Sequence, residues 1–427
     1  MRKLALAATA VAALSVGLQT PAFAAAPDAP TDVTIAWADS DNIKLTWTDD
    51  GLANAIYRQL PGGDEVKYVD LSSTHANEFL VPTRALAASQ DHVKLIVRSV
   101  NPEGESAPTA SPEFDTLVPV APVLQDANLS ASLSTALSWT QAATTDGTPN
   151  DPLDNPAYEG IDISALRYNG VVDSLGRWAA GTTSVTVPPQ SSRPTTLILS
   201  SFSPWGKANA AKTVKLGFLG VYTTVPASAL YSNRLAIKSM LELYTSPGRE
   251  ERASGIPVEL QARAKSTDAW KTYGRYSGTT TATFDTGIAS LGNRQYRLWV
   301  PARKVVAGNV IVLTPAASTG AKSSKTLVKI VSGGFNPAVS RRGSRWTFSL
   351  KILPAVTARG TWQYWNWDTN TWYSDGKIQL TKGSYFYRSE PDFELGTIRL
   401  RVVAPTVVVN GLTVNANTSP GYNQTIR

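Results

Sequence analysis

The chain has 427 residues, of which 42% are hydrophobic and 17% charged, and it contains 30 glycines, 27 prolines and no cysteine. This composition supports packed cores and excludes a globally disordered chain, and the lack of cysteine excludes disulfides, thiol nucleophiles and thiolate metal sites. The net charge of +7 is uneven, because residues 1–220 carry 14 Lys and Arg against 22 Asp and Glu (net −8), whereas residues 221–427 carry 26 against 11 (net +15).

The first 24 residues have the pattern of a secretory signal peptide. Arg2 and Lys3 form a basic start, residues 4–18 are an apolar stretch, and Ala22-Phe23-Ala24 is a small-x-small cleavage signal. We expect a secreted or extracellular protein, with association with the cell wall left open. No later segment approaches the ~20 apolar residues that a membrane-spanning helix needs, so we expect no membrane span.

Residues 27–117 have the alternation of half-buried β-strands, in which every second side chain is apolar. The residues expected to face a core are Val33, Ile35, Ile43, Leu45, Trp47, Val93, Leu95 and Val97. Turn signals rich in Gly, Pro and Asp separate these runs. The segment therefore predicts a small sandwich of short strands.

Residues 118–222 repeat this scheme with one change of spacing. Trp139 follows Trp47 by 92 positions, whereas the late turn at Gly206 follows the similar turn at Gly104 by 102. The second segment therefore predicts a second sandwich that carries an insertion of about ten residues between these landmarks.

We place the insertion in residues 144–160, which are polar and rich in Asp, Asn and Pro. The acidic residues in and near it are Asp146, Asp151, Asp154, Glu159 and Asp162. Such a group could form a solvated loop, hold calcium through six to eight oxygens, or supply a carboxylate pair for glycoside hydrolysis. The spacing does not match an EF-hand loop, and we expect a solvated loop without a metal.

Residues 27–117 resemble a fibronectin type III domain. The matching features are the early Pro30, Trp47 in the second strand, Tyr57-Arg58 in the third, and the turn that runs from Val100-Asn101 to Gly104-Glu105-Ser106. Residues 118–222 are similar to a second domain of this kind. The resemblance implies two small β-sandwiches of a class that serves many functions.

Residues 223–319 resemble the bacterial immunoglobulin-like modules that occur as tandem repeats in secreted actinobacterial proteins. The features that carry the resemblance are the alternating strand Val258-Glu-Leu-Gln-Ala-Arg263, a turn followed by Trp270, and the late strand Tyr296-Arg-Leu298. Residues 320–427 look like a divergent copy. There Trp372 precedes Ile398-Arg-Leu400 by 26 positions, as Trp270 precedes Tyr296-Arg-Leu298.

The sequence thus predicts an all-β chain of four tandem β-sandwich modules, fibronectin type III-like and then immunoglobulin-like, after a signal peptide. The expected boundaries are 1–24 for the signal peptide and 27–117, 118–222, 223–319 and 320–427 for the modules. We expect short linkers at residues 117–120, 220–225 and 318–325.

Aligning the last two modules at an offset of 102 assigns faces to a row of aromatic residues, because alternate side chains of a strand point to opposite faces. The inward positions Leu260 and Ala262 correspond to Trp362 and Tyr364, which we expect in the core with Trp372. The outward positions Arg263 and Lys265 correspond to Trp365 and Trp367. Exposed tryptophans often mark a binding surface, although packing in a core or between modules is the alternative.

The candidate ligand-binding residues are therefore Trp365, Trp367, Asn366, Asp368, Asn370 and Tyr373, with tryptophans to stack on sugar rings and polar groups to bind hydroxyls. We expect a non-catalytic protein that binds a glycan or an anionic cell-wall polymer through its basic half. The alternative is a structural or adhesive protein that engages another protein. His75 and His92 are not part of a catalytic motif, and we expect no catalytic residue, cofactor, metal or nucleic-acid partner.

Overall fold

The computed structural model describes residues 25–86, 88–392 and 394–427. The predicted signal peptide lies outside the described residues. Within them, the regular elements are strands and two short 3-10 helices, Thr83–Ala85 and Pro156–Tyr158. None of the described helices is long and apolar enough to cross a membrane. The all-β architecture of four tandem sandwiches is confirmed.

The first sandwich packs a three-stranded sheet, in the order β1-β2-β5, against a five-stranded sheet built on β4-β3-β6-β7, with β8 beside β6. Trp47, Leu45 and Val97 are buried in its core, as their alternation predicted. The strands are β1 (Thr31–Asp39), β2 (Asn42–Thr48), β3 (Ala53–Gln59), β4 (Glu65–Leu71), β5 (Glu78–Pro82), β6 (Lys94–Asn101), β7 (Gly104–Glu105) and β8 (Thr109–Ala110).

The second sandwich has a three-stranded sheet, β13-β10-β9, and a larger sheet that begins β12-β11-β14-β16, with β15 beside β14. Trp139 is 2% exposed in its core. The strands are β9 (Val123–Leu129), β10 (Thr135–Thr140), β11 (Gly160–Leu166), β12 (Val172–Ala179), β13 (Ser184–Val187), β14 (Thr195–Ser203), β15 (Gly206–Asn209) and β16 (Thr213–Leu216).

The third sandwich has one sheet built on β17-β20-β21, with β24, and one in the order β18-β30-β26-β22-β23, with β29. The strands of this part of the chain are β17 (Phe218–Thr224), β18 (Ser228–Leu230), β19 (Arg234–Leu235), β20 (Lys238–Ser246), β21 (Arg249–Glu251), β22 (Ser254–Arg263), β23 (Lys271–Thr279), β24 (Phe284–Asp285), β25 (Ile288–Ala289), β26 (Arg294–Val300), β27 (Arg303–Ala307), β28 (Val310–Thr314), β29 (Ala317–Ser318) and β30 (Lys322–Leu327).

The fourth sandwich has a three-stranded sheet, β31-β33-β36, and a sheet in the order β32-β41-β37-β34-β35, with β40. The strands are β31 (Lys329–Asn336), β32 (Val339–Ser340), β33 (Thr347–Leu353), β34 (Ala358–Asn366), β35 (Thr371–Leu380), β36 (Ser384–Arg388), β37 (Gly396–Ala404), β38 (Val407–Val409), β39 (Leu412–Val414), β40 (Asn417–Thr418) and β41 (Tyr422–Ile426).

The hairpin β27–β28 leaves the third sandwich and completes the larger sheet of the second. Its strand β28 pairs in parallel with β16, so that Leu313 lies beside Leu216. Ile311 and Leu313 are each 1% exposed and belong to the core of the second sandwich. Because sheet and core are both shared, these two sandwiches are joined by more than a linker.

The hairpin β38–β39 makes the corresponding junction between the third and fourth sandwiches. The Asn293 N–H donates to the Thr413 carbonyl at 2.8 Å, and the Asn415 N–H donates to the Thr326 carbonyl at 2.7 Å. Leu412 also lies directly against Gly292, where a Cβ would come within 2.4 Å of the leucine Cβ. A glycine is therefore required for this close approach.

The first two sandwiches are joined by the segment that the sequence marked as an insertion. Residues 141–155 contain no strand, and Leu153 is buried in the core of the first sandwich. Its carbonyl accepts a hydrogen bond of 2.8 Å from Trp37 Nε1. Trp205, in the late turn of the second sandwich, stacks on Phe114 with ring centroids 6.2 Å apart.

Two of the three expected linkers are wrong. Residues 220–224 lie in β17, which pairs with β20 along its whole length, and residues 322–325 lie in β30. The alternating apolar residues of these short strands are too few to distinguish them from connecting loops. The four module boundaries given above stay a prediction.

Candidate functional site

The duplication of the last two modules extends to a β-bulge. Pairing of β22 with β23 shifts register between Leu260 and Gln261, and pairing of β34 with β35 shifts between Trp362 and Gln363. These positions are 102 residues apart, so the predicted offset is confirmed for these strands. Bulges redirect side chains locally, and in the fourth module this one directly precedes the row of aromatic residues.

The predicted offset of 102 residues is wrong for the late strand, which is β26 in the third module and β37 in the fourth. Tyr296 lies opposite Ala262, whereas Leu400 lies opposite Tyr364, which makes the true offset of this strand 104. The similarity of Tyr296-Arg-Leu298 to Ile398-Arg-Leu400 in the sequence concealed the shift. Because two residues are one full repeat of a strand, the shift leaves each side chain on its predicted face.

An outward row of tryptophans lies on the fourth sandwich. Trp365 contacts Trp367 with ring centroids 6.4 Å apart and Trp372 with centroids 5.2 Å apart, both edge to face. Trp367 is 54% exposed, and its Nε1 donates to the Thr397 carbonyl at 3.1 Å. Trp365 and Trp372 are half-buried. We call these three residues the tryptophan row.

The expectation that Trp372 belongs to the core is wrong. It lies directly opposite Trp365 on the neighbouring strand, and residues directly opposite in an antiparallel pair share a face. Trp362 and Tyr364 do pack against the core of the fourth sandwich, as predicted. The register of β34 with β35, which the sequence did not reveal, decided the position of Trp372.

The structure does not bring Tyr373 to the tryptophan row. Tyr373 lies opposite Tyr364 and stacks on it with centroids 6.0 Å apart, on the other face of the sheet. Burial raises the pKa of the Tyr364 phenol to about 12. Tyr385 and Tyr387 contact Trp362 on this same inner side. The six candidate residues are therefore divided between two faces.

The three polar candidates lie at the end of β34 and in the turn that follows it, next to Trp367. Asn366 Oδ1 accepts hydrogen bonds from the Asp368 N–H at 2.8 Å and the Thr369 N–H at 3.0 Å, so its carbonyl oxygen already shapes the turn. Asp368 is exposed. Asn370 has a φ of 54°, which asparagine tolerates better than most residues. The ligand-binding role of these residues stays a prediction.

Two arginines of β37 complete the outer face, and the sequence did not identify them. The guanidinium of Arg401 lies 4.3 Å from the Trp372 ring centroid, and that of Arg399 lies 5.3 Å from the Trp365 centroid. Such contacts stabilise a cation against an aromatic face by about 0.5–2 kcal/mol. Alternating arginines on a strand next to the aromatic strand were the available signal.

An acidic cluster lies at the junction of the first two sandwiches. Carboxylate oxygens of Asp115, Asp151 and Asp154 lie within 4.8 Å of one another. Asp151 Oδ2 also accepts a hydrogen bond of 3.1 Å from the Asp115 N–H. Burial and the neighbouring carboxylates Asp146 and Asp151 raise the pKa of Asp115 to about 6. The sequence had marked the acidic loop but not Asp115, which is more than 30 positions away along the chain.

This cluster should make the junction sensitive to pH. A carboxylic acid whose pKa is higher in the folded than in the unfolded state stabilises the fold at pH values below its unfolded pKa of about 3.9. That contribution is lost as the pH rises through the folded pKa of about 6. We expect Asp115→Asn to match the wild type near pH 4 and to be more stable near pH 7.5 by on the order of 1 kcal/mol, after a discount for solvent screening.

Urea unfolding at a series of pH values measures this difference. Asp64→Asn, at an exposed turn of the first sandwich, controls for the loss of a negative charge and should leave the pH dependence of the wild type unchanged. Parallel pH profiles for the wild type and Asp115→Asn would contradict the prediction.

Three solved structures that contain several domains are similar to this chain. A tetra-tandem repeat from the extending region of a large adhesion protein is 11% identical, with a TM-score of 0.27, and the match covers 92% of this chain and 99% of that one. The three N-terminal domains of the bacteriophage RB49 highly immunogenic outer capsid protein are also 11% identical, with a TM-score of 0.25, covering 72% of this chain and 98% of theirs.

The first three fibronectin domains of chicken CNTN1 are 12% identical, with a TM-score of 0.21, covering 70% of this chain and 100% of theirs. No protein-family model matches the chain, and no curated protein matches it. At these identities and TM-scores the likenesses carry no argument about function, and the fold rests on the strand order and cores described above.

Proposed function

We propose that this chain is a non-catalytic extracellular protein that binds a glycan or an anionic cell-wall polymer through its basic C-terminal half. The observation that carries the proposal is the tryptophan row, Trp365, Trp367 and Trp372, beside Arg399 and Arg401 on one outer face. Exposed aromatic rings are costly in water unless a partner covers them, and indole faces suit the apolar faces of sugar rings.

Charge supports an anionic polymer over a neutral one. Residues 221–427 carry a net charge of +15, and such a field attracts anionic partners and speeds their association. Among the described residues, neither Arg399 nor Arg401 forms an ion pair with a carboxylate. Both cations therefore remain available to a negatively charged ligand that stacks on the row.

The test is retention on insoluble polysaccharide and on purified bacterial cell wall. Each lost ring contact is worth about 0.5–1.5 kcal/mol beyond area burial, so we expect the double variant Trp365→Ala, Trp367→Ala to bind roughly tenfold to a hundredfold more weakly. Tyr168→Ala removes an aromatic residue that is 60% exposed on the second sandwich and should bind like the wild type.

The salt dependence of polymer binding distinguishes a contribution from ring stacking from a contribution from charge. Exposed charge interactions are screened within about 8 Å at physiological ionic strength. Binding that is lost in high salt and kept by the double variant would implicate charge without stacking. A wild-type chain that binds no polymer but captures a surface protein would favour the alternative of an adhesive protein with a protein partner.

A further inference from the structure

A glutamine, an arginine and a tryptophan form a compact unit on the third sandwich. Arg297 lies directly opposite Gln261 on the neighbouring strand, and its Nε donates to Gln261 Oε1 at 2.9 Å. Its guanidinium lies 4.5 Å from the ring centroid of Trp270. The glutamine and the indole together hold the guanidinium plane in one orientation.

The fourth sandwich contains the same unit. Arg401 lies directly opposite Gln363, its Nε donates to Gln363 Oε1 at 2.6 Å, and its guanidinium lies 4.3 Å from the Trp372 ring centroid. The spacing of residues in the sequence aligned Arg297 with Arg399, but the strand register aligns Arg297 with Arg401. The two units are therefore equivalent in three dimensions and hidden in the sequence.

Each unit leaves the terminal Nη groups of its arginine without a partner. The Nε hydrogen is used by the glutamine and one face is covered by the indole, and within the described chain neither Arg297 nor Arg401 has a further hydrogen bond or an ion pair. Burial lowers the pKa of both guanidinium groups. These are partly desolvated cations that no carboxylate of the described chain compensates.

A guanidinium held in this way suits a planar or tetrahedral oxyanion. Its fork of N–H donors binds carboxylate or phosphate with two parallel hydrogen bonds, and its weak hydration makes the exchange of water for an anion less costly than for lysine. The fixed plane also means that little side-chain entropy remains to be lost on binding.

We propose that each unit, Gln261-Arg297-Trp270 and Gln363-Arg401-Trp372, binds one oxyanion group of a linear anionic polymer. The choice of a polymer rests on the proposed function, but the unit on the third sandwich lies outside the tryptophan row and is a separate site. Carboxylates of an acidic polysaccharide and phosphates of a wall polymer share the chemistry that these units recognise.

The two sites take their second arginine from different strands. On the third sandwich Arg263 of β22 lies 4.3 Å from the Trp270 centroid, where the fourth sandwich has Trp365. On the fourth sandwich Arg399 of β37 lies 5.5 Å from the Trp372 centroid. Each site therefore contains two arginines, and the site on the third sandwich is poorer in aromatic surface. We expect the affinities of both sites to fall with salt to a similar extent.

The experiment follows the arginine Nε–H resonances of the full chain by NMR during titration with trigalacturonate, tripolyphosphate or neutral maltotriose. We expect the resonances of Arg297 and Arg401 to shift and saturate with at least one of the two anions and not with maltotriose. The responding anion, carboxylate or phosphate, identifies the chemical source. Arg359, an exposed arginine on β34, reports unspecific binding.

Two kinds of variant test each site. Arg297→Lys keeps the charge and removes the fork, so binding at that site should weaken about tenfold while Arg401 still responds; Arg401→Lys should do the reverse. Gln261→Glu and Gln363→Glu keep the shape and place a carboxylate on the arginine, and each should abolish the anion response of its own site. Arg359→Lys should change nothing.

The proposal is overturned if Arg297 and Arg401 shift no more than Arg359, or if the glutamate variants keep the response. Failure of the proposed function gives a different result. If trigalacturonate or tripolyphosphate shifts the resonances of Arg297 and Arg401 but the Trp365→Ala, Trp367→Ala variant keeps full polymer retention, binding through the tryptophan row is contradicted and the anion sites are supported. If the double variant loses retention and Arg297 does not respond, binding through the tryptophan row is supported and the anion sites are contradicted.

Discussion

Leu313→Ala should destabilise the second sandwich by about 2–5 kcal/mol, the usual cost of removing a fully buried leucine side chain, although Leu313 follows that sandwich's last strand by almost 100 residues. Leu313 is 1% exposed and belongs to the same core as Leu216 and Trp139. Its loss leaves a cavity among residues that the second sandwich supplies.

Hydrogen exchange measured by mass spectrometry locates this effect, because amide protection reports the local free energy of opening. We expect peptides from β14 and β16 to exchange faster in Leu313→Ala. Val306→Ala, on the outer strand of the same hairpin and 57% exposed in the wild type, should leave them unchanged. Faster exchange limited to the hairpin would show that the shared core does not couple the two sandwiches.

Trp205→Ala should weaken the first sandwich even though Trp205 belongs to a turn of the second. Its ring lies 5.5 Å from Trp37 and 6.2 Å from Phe114 by centroid distance, and it packs against the first core. Because Trp205 is half-buried, we expect a loss of about 2–3 kcal/mol, at or below the lower end of the range for buried tryptophan.

The measurement is the protection of amides in β6, which lies in the first sandwich. In Trp205→Ala these amides should exchange faster, whereas Tyr168→Ala, at an exposed aromatic residue of the second sandwich, serves as the matched control without this effect. Equal protection in both variants would mean that the first sandwich is stable without its neighbour.

The alternation of apolar residues predicted the buried residues of the cores well, because this alternation depends on one strand at a time. The alternation of Val258, Leu260 and Ala262 is a property of one strand, and these residues are buried in the structure. The same local rule placed Trp362 and Tyr364 against the fourth core. The face of the sheet to which a side chain points follows from the two-residue repeat of the strand backbone. It can therefore be predicted from the order of residues within one strand.

The tryptophan row could be predicted only in part. Trp365 and Trp367 were recognised from the offset, but Trp372, Arg399 and Arg401 joined them through pairing between strands. A bulge and a shift of two residues in the last strand set this register, and neither leaves a mark in the order of residues. The equivalence of Arg297 with Arg401 was lost for the same reason.

By itself the sequence determined the strand class, the number of sandwiches, the inward residues and the contrast between an acidic and a basic half. Tertiary structure alone decided how the sandwiches join: a hairpin of the third enters the sheet of the second, and an inserted loop of the second enters the core of the first. It also brought Asp115 to the acidic loop. These contacts link residues far apart in the chain, and their free energy comes from burial between surfaces that no local pattern of alternation describes.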